Sequence, residues 1–91
     1  MILGRVIGTV WATRKDEKLT GSTLQIVRPV ELDYSPKPGF VVAVDAVGAG
    51  VGEIVLVVQG SSARQTVKTQ NKPVDATIMA IVDKLDIEEQ G

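Results

Sequence analysis

The chain has 91 residues, enough for one domain spanning 1–91 and too few for a second hydrophobic core. Lys and Arg number 10 against 11 Asp and Glu, a formal net charge of −1 that lacks the basic excess of a dedicated nucleic-acid binder. Cys and His are both absent, which excludes disulfides, thiolate nucleophiles and imidazole-based hydrolase or zinc sites.

Hydrophobic residues make up 44% of the chain and aromatics only 3%, so the core has to be built from Val, Ile, Leu and Ala. Side chains branched at Cβ suit a pleated, half-buried surface, and this favours sheet. The opening Met1-Ile2-Leu3-Gly4-Arg5 has no basic region followed by a continuous apolar stretch, so no signal peptide is read. Apolar runs at 40–44 and 54–58 are far too short to span a bilayer. The expectation is a soluble cytoplasmic protein with no membrane partner.

Residues 2–11 alternate with the period of a strand, Leu3, Ile7 and Trp11 on one side and Ile2, Val6 and Val10 on the other. Gly4 and Gly8 share the second side, where they mark either a bend within one barrel or close approach by a neighbouring subunit. Trp11 reads as a core or interface filler. The charged run 14–18 suits an exposed connection into a second strand over 23–30, and Pro29 inside that strand points to a sheet edge or a bulge.

Turn formers concentrate at 33–39, ahead of a third strand over 40–47 and a fourth over 53–59. Both are too apolar for strands with one wet face, which calls for a barrel interior on one side and a subunit neighbour on the other. After Gly60, Ser62 and Gln65 have the spacing of a capping box for one short helix. Residues 67–73 read as loop. The branched residues Thr77, Ile78, Ile81 and Val82 make 76–83 a fifth strand, and the acidic end 86–90 a loose tail or short turn. The sum is an all-β fold: a small, partly open five-stranded OB-like Greek-key barrel with one short helix.

Between the third and fourth strands lies Gly48-Ala49-Gly50-Val51-Gly52-Glu53. A dinucleotide fingerprint needs G-x-G-x-x-G between strand and helix, and a P-loop ends in Gly-Lys-Ser/Thr; this run has neither spacing nor context. A hairpin loop with glycines at positive φ explains the run, but it is longer than a simple turn requires. So much backbone without side chains fits several copies of the loop crowding around a symmetry axis. Asp45, in an apolar strand, has no second carboxylate at a catalytic spacing and reads as facing a polar partner.

The run from Val42-Ala43-Val44-Asp45-Ala46-Val47 through the glycine loop to Ile54-Val55-Leu56-Val57, with Gly60-Ser61-Ser62-Ala63-Arg64, closely resembles the CcmL/EutN family of microcompartment vertex proteins. The resemblance extends to 1–10, to Pro73-Val74-Asp75-Ala76 and to Ile81-Val82-Asp83. It implies a homopentamer with a narrow central opening, located in the shell of a cytoplasmic bacterial microcompartment and bordered there by hexameric shell proteins. The role is structural and not enzymatic, with no catalytic residues, cofactor or metal. In that setting Gly48, Ala49, Gly50, Val51, Gly52 and Glu53 are expected at the subunit interface near the five-fold axis. Glu53 would accept backbone N–H groups of a neighbour; its alternative is a solvated charge at a strand start. Arg64 either caps a helix end or bridges subunits. The competing function is a small OB-fold module binding nucleic acid or another ligand, although Trp11, Tyr34 and Phe40 are its only aromatics for stacking.

Overall fold

The structure, a computed structural model, describes residues 1–70 and 74–89, the Ser62 side chain excepted. Five strands form: β1 (Ile2–Val10), β2 (Leu24–Pro29), β3 (Val41–Asp45), β4 (Ile54–Gln59) and β5 (Ala76–Ile81). They follow the order β1-β2-β3-β5-β4, and β4 returns to β1 through the pairs from Ile2↔Val57 to Arg5↔Ile54. The barrel is therefore closed, not partly open. Every ladder is antiparallel except β3 with β5, which pair in parallel at Val44↔Thr77 and Asp45↔Ile78. Among the described residues no helix is long and apolar enough to cross a membrane.

Alternation along the strands sends one row inward. Val6, Val27, Ala43, Val55, Val57, Ala76 and Ile78 meet on the axis, with Ile2, Val41 and Ile81 packed around them. Small branched residues fill so narrow an interior where rings would not fit, and each fully buried Val contributes roughly 1.5–3 kcal/mol of transfer free energy. Gly4 lies on the inward row and resolves one open alternative: a Cβ there would meet the Arg28 carbonyl oxygen at 2.9 Å and the Val27 side chain. Its missing side chain is required by the close approach of β2 in the same barrel. Gly8 follows a bulge between Val6 and Gly8, and a Cβ there would sit 3.6 Å from Ile26 Cδ1, an ordinary contact.

Three readings from the pattern are corrected. Trp11 is no core residue; it stands 89% exposed just past the end of β1. β2 is not an edge strand, since it pairs with both β1 and β3. Pro29 is tolerated because the β2–β3 ladder ends at Val27↔Val41, so no bond to β3 needs its missing N–H. The third strand stops at Asp45, whose Oδ1 accepts from the Val47 and Gly48 N–H groups, both at 2.9 Å, and so turns the chain before 47.

The short helix after the fourth strand is a 3-10 segment, Gly60–Arg64, entered through Gly60 at φ 70°. It is tied to the barrel by Thr77 Oγ1, which donates to the Ala63 carbonyl at 2.6 Å in a buried position. The Ser62 half of the expected capping box lies outside the described residues. A second 3-10 turn, Glu17–Leu19, sits in the charged connection, where Asp16 Oδ1 accepts from Lys18 N–H at 2.8 Å.

Candidate functional site: the glycine loop

The β3–β4 connection is held from four directions, each by a residue whose place is set by a neighbouring strand. Asp45 at the end of β3 ties down its first turn. Gln25, 5% exposed on β2, donates from Nε2 to the Ala49 carbonyl at 2.9 Å and accepts from Thr9 Oγ1 at 2.7 Å. Ala49 itself is drawn into the barrel core. From β1, Arg5 Nη1 donates to the Gly52 carbonyl at 2.9 Å, and Val6 exchanges backbone bonds with Gly52 and Glu53. At the far end, Glu53 Oε1 accepts from Gly50 N–H at 2.7 Å, and Glu53 N–H donates to Gly50 O at 3.1 Å.

These bonds determine what the loop can do chemically. The N–H of Gly48 goes to Asp45, that of Gly50 to Glu53 and that of Gly52 to the Val6 carbonyl. A phosphate cradle needs such donors convergent and free, whereas here each is spent within the chain and two of the three acceptors are carboxylates. Among the described residues no group of three or more acids gathers as a metal site. The loop is a rigid, polar-laced projection with Ala49 inside and Gly50, Val51, Gly52 and Glu53 outside.

The three glycines have different reasons to be there. Gly48 and Gly52 sit at φ 78° and 96°, a backbone region that side chains disfavour. Gly50 has no positive φ, is exposed, and an added Cβ would meet only Glu53 Oε1 at 3.4 Å. Nothing in the single chain requires glycine at 50. Gln25, Thr9 and Arg5 were missed by sequence reasoning. The available signal for Gln25 was a polar residue on the inward row of β2, two before the core residue Val27.

The aromatics that an oligonucleotide platform would need are dispersed. Trp11 follows Val10, which pairs with Leu24 at the start of β2, whereas Tyr34 lies beyond the other end of β2 and Phe40 precedes Val41, paired with Val27. They do not form one stacking face.

A closed five-stranded barrel with this loop, lacking any gathered catalytic or metal-binding set among the described residues, matches the family of the ethanolamine utilisation protein EutN/carboxysome over residues 1–83. The chain belongs to the EutN/CcmL family. The bacterial microcompartment shell vertex protein PduN of Salmonella typhimurium is 48% identical over 89 residues, covering 93% of this chain and 98% of that protein. The Gloeobacter violaceus CcmL structure superposes with a TM-score of 0.90 at 36% identity, covering 97% of this chain and 91% of that one. The GrpN pentameric microcompartment shell protein from Rhodospirillum rubrum gives a TM-score of 0.87 at 44% identity, covering 97% of this chain and all of that one. The EutN/CcmL relatives are thus matched over nearly their whole length.

Proposed function

We propose that this chain is a structural, non-enzymatic shell protein that assembles as a homopentamer and caps the vertices of a bacterial microcompartment. The observation that carries the reading is the full-length match to the GrpN pentameric shell protein, with PduN and CcmL named as shell vertex proteins. Its place is accordingly the microcompartment shell within the cytoplasm. A flat layer of hexameric tiles does not close on itself, and five-fold units inserted among them supply the curvature; hexameric shell proteins are the neighbours this role requires. A five-membered ring needs a heterologous contact, in which one patch of each subunit meets a different patch of the next.

The glycine loop, residues 48–53, is our candidate for the contact nearest the five-fold axis. Gly50 supports it, because its lack of a side chain is unexplained within one chain and leaves backbone free to approach a neighbour. Glu53 supports it in a modified form. Its carboxylate already accepts the Gly50 N–H of its own loop, and only its remaining acceptor capacity is available to a neighbour's N–H. Native mass spectrometry of the full chain tests the assembly: a discrete species of five chains is expected, and a monomer at micromolar concentration refutes the vertex role.

A further inference from the structure

On the outer wall of β1 and β2, Arg5 and Arg28 stand directly opposite each other in the antiparallel register. Like charges in that relation repel, with Cβ atoms only about 4.5–5.5 Å apart. Each guanidinium donates one N–H to a neutral backbone carbonyl, Arg5 to Gly52 and Arg28 to Gly39 at 3.0 Å, which fixes its position without neutralising it. The pair borders a depression of about 280 Å³ whose other walls are Ile7, Val30, Tyr34 and Pro36. Ile7 is 41% exposed at its edge. The chemistry asked of an occupant is an apolar side chain flanked by carboxylates.

The chain carries such a segment. After β5, Val82 N–H donates to the Ile54 carbonyl at 2.8 Å, and residues 83–89 continue without helix or strand. They read Asp83-Lys84-Leu85-Asp86-Ile87-Glu88-Glu89, four carboxylates against one lysine. Ile87 is flanked in sequence by Asp86 and Glu88, and with no strand over 83–89 the two carboxylates are not held on the side opposite it. Ile87 is 49% exposed. The family match ends at residue 83, so most of this segment lies beyond it.

Exposure separates a chain's own depression from its neighbour's. β5 runs antiparallel to β4, so the segment leaves the barrel past the start of β4, at the end that carries the glycine loop. It emerges beside the loop proposed for the subunit contact, and none of its residues lines the depression of its own chain. Both the depression and Ile87 remain uncovered within one chain.

We propose that residues 83–89 of one subunit dock on the next, with Ile87 in the depression and Asp86 and Glu88 against Arg5 and Arg28. The contact is heterologous, as a ring requires, and rests on the pentameric reading above. The chain has no cysteine, so a full-length Ile7→Cys/Ile87→Cys variant tests it directly. After oxidation, a denaturing gel showing a ladder of linked chains up to five is the expected result. An internally linked monomer would place the tail on its own barrel, and unlinked chains would place it elsewhere; either overturns the proposal. Native mass of the same sample separates the two failures, since five unlinked chains refute the tail contact alone and a lone chain refutes the assembly beneath it. In cysteine-free protein, Arg28→Glu should raise the concentration at which rings dissociate by about tenfold or more, through like-charge repulsion. Adding Asp86→Lys and Glu88→Lys should restore assembly; no loss with the first change, or no recovery with the others, refutes the ionic pairing.

Discussion

Substituting Ala at Gly50 and, separately, at Gly52 asks whether the loop's glycines serve the fold or the assembly. Gly52 sits at φ 96°, and nothing lies within 4 Å of the Cβ it would gain, so the cost there is backbone strain alone. An L-residue forced into the left-handed region costs about 1–2 kcal/mol. For a 91-residue domain that is a fall in melting temperature of roughly 5–15 °C. Gly50 has no such strain, and its new Cβ would meet only Glu53 Oε1 at 3.4 Å, the far end of a flexible side chain. Its monomer should be unchanged, or stabilised by up to about 1 kcal/mol through a less flexible unfolded chain. Around a five-fold axis the order inverts, because each ring would bring five added methyl groups into the crowded region. Melting followed by circular dichroism at concentrations low enough to dissociate the ring reports the fold, since assembly otherwise adds to apparent stability. Light scattering at micromolar concentration reports assembly. Gly50→Ala should keep the melt and lose pentamer, and Gly52→Ala should lower the melt. Intact pentamers of Gly50→Ala would refute the axial placement, and an unchanged Gly52→Ala melt would refute the backbone argument.

Glu53→Ala removes the acceptor of the Gly50 N–H; in a single exposed loop water replaces it, but a buried contact leaves the donor unpaired at about 1–3 kcal/mol per interface. Assembly should weaken while the β signal persists, and equal dissociation of variant and parent on dilution would count against this. Gln25→Leu strands the Ala49 carbonyl and the Thr9 hydroxyl, so chemical denaturation should show a loss of about 1–3 kcal/mol, and an unaltered midpoint would show that the bridge holds nothing. The Ser35 hydroxyl and then its backbone N–H hold the Asp33 carboxyl below its ordinary value, at 2.6 and 3.0 Å. This depressed group contributes stability above the ordinary Asp value and loses it as pH falls through the lower folded value. An NMR titration should find that low midpoint and its return toward normal in Ser35→Ala; identical midpoints would refute the cause. Labelled single strands at low salt should show no salt-sensitive binding, given the charge of −1 and the scattered aromatics, and submicromolar binding that salt abolishes would revive the oligonucleotide reading.

Strand positions were legible from the chain alone because alternation is a property of neighbours in sequence. The inward row of Ile2, Gly4 and Val6 and the branched run of 76–81 announced their elements to within two residues. The run of 48–53 announced itself equally, through glycine's backbone freedom. Everything that depends on which strand lies beside which was out of reach. Insertion of β5 between β3 and β4 closes the barrel, and the pairing of β2 with both β1 and β3 removes the edge that Pro29 called for. Only the β1–β2 register sets Arg5 against Arg28 and presses Gly4 onto the Arg28 carbonyl. Gln25 reaches Ala49 across 24 residues of chain for the same reason. Periodicity is written into a few consecutive side chains, whereas pairing is decided by the closure of the whole barrel, and the loop's partners within the chain follow from that closure.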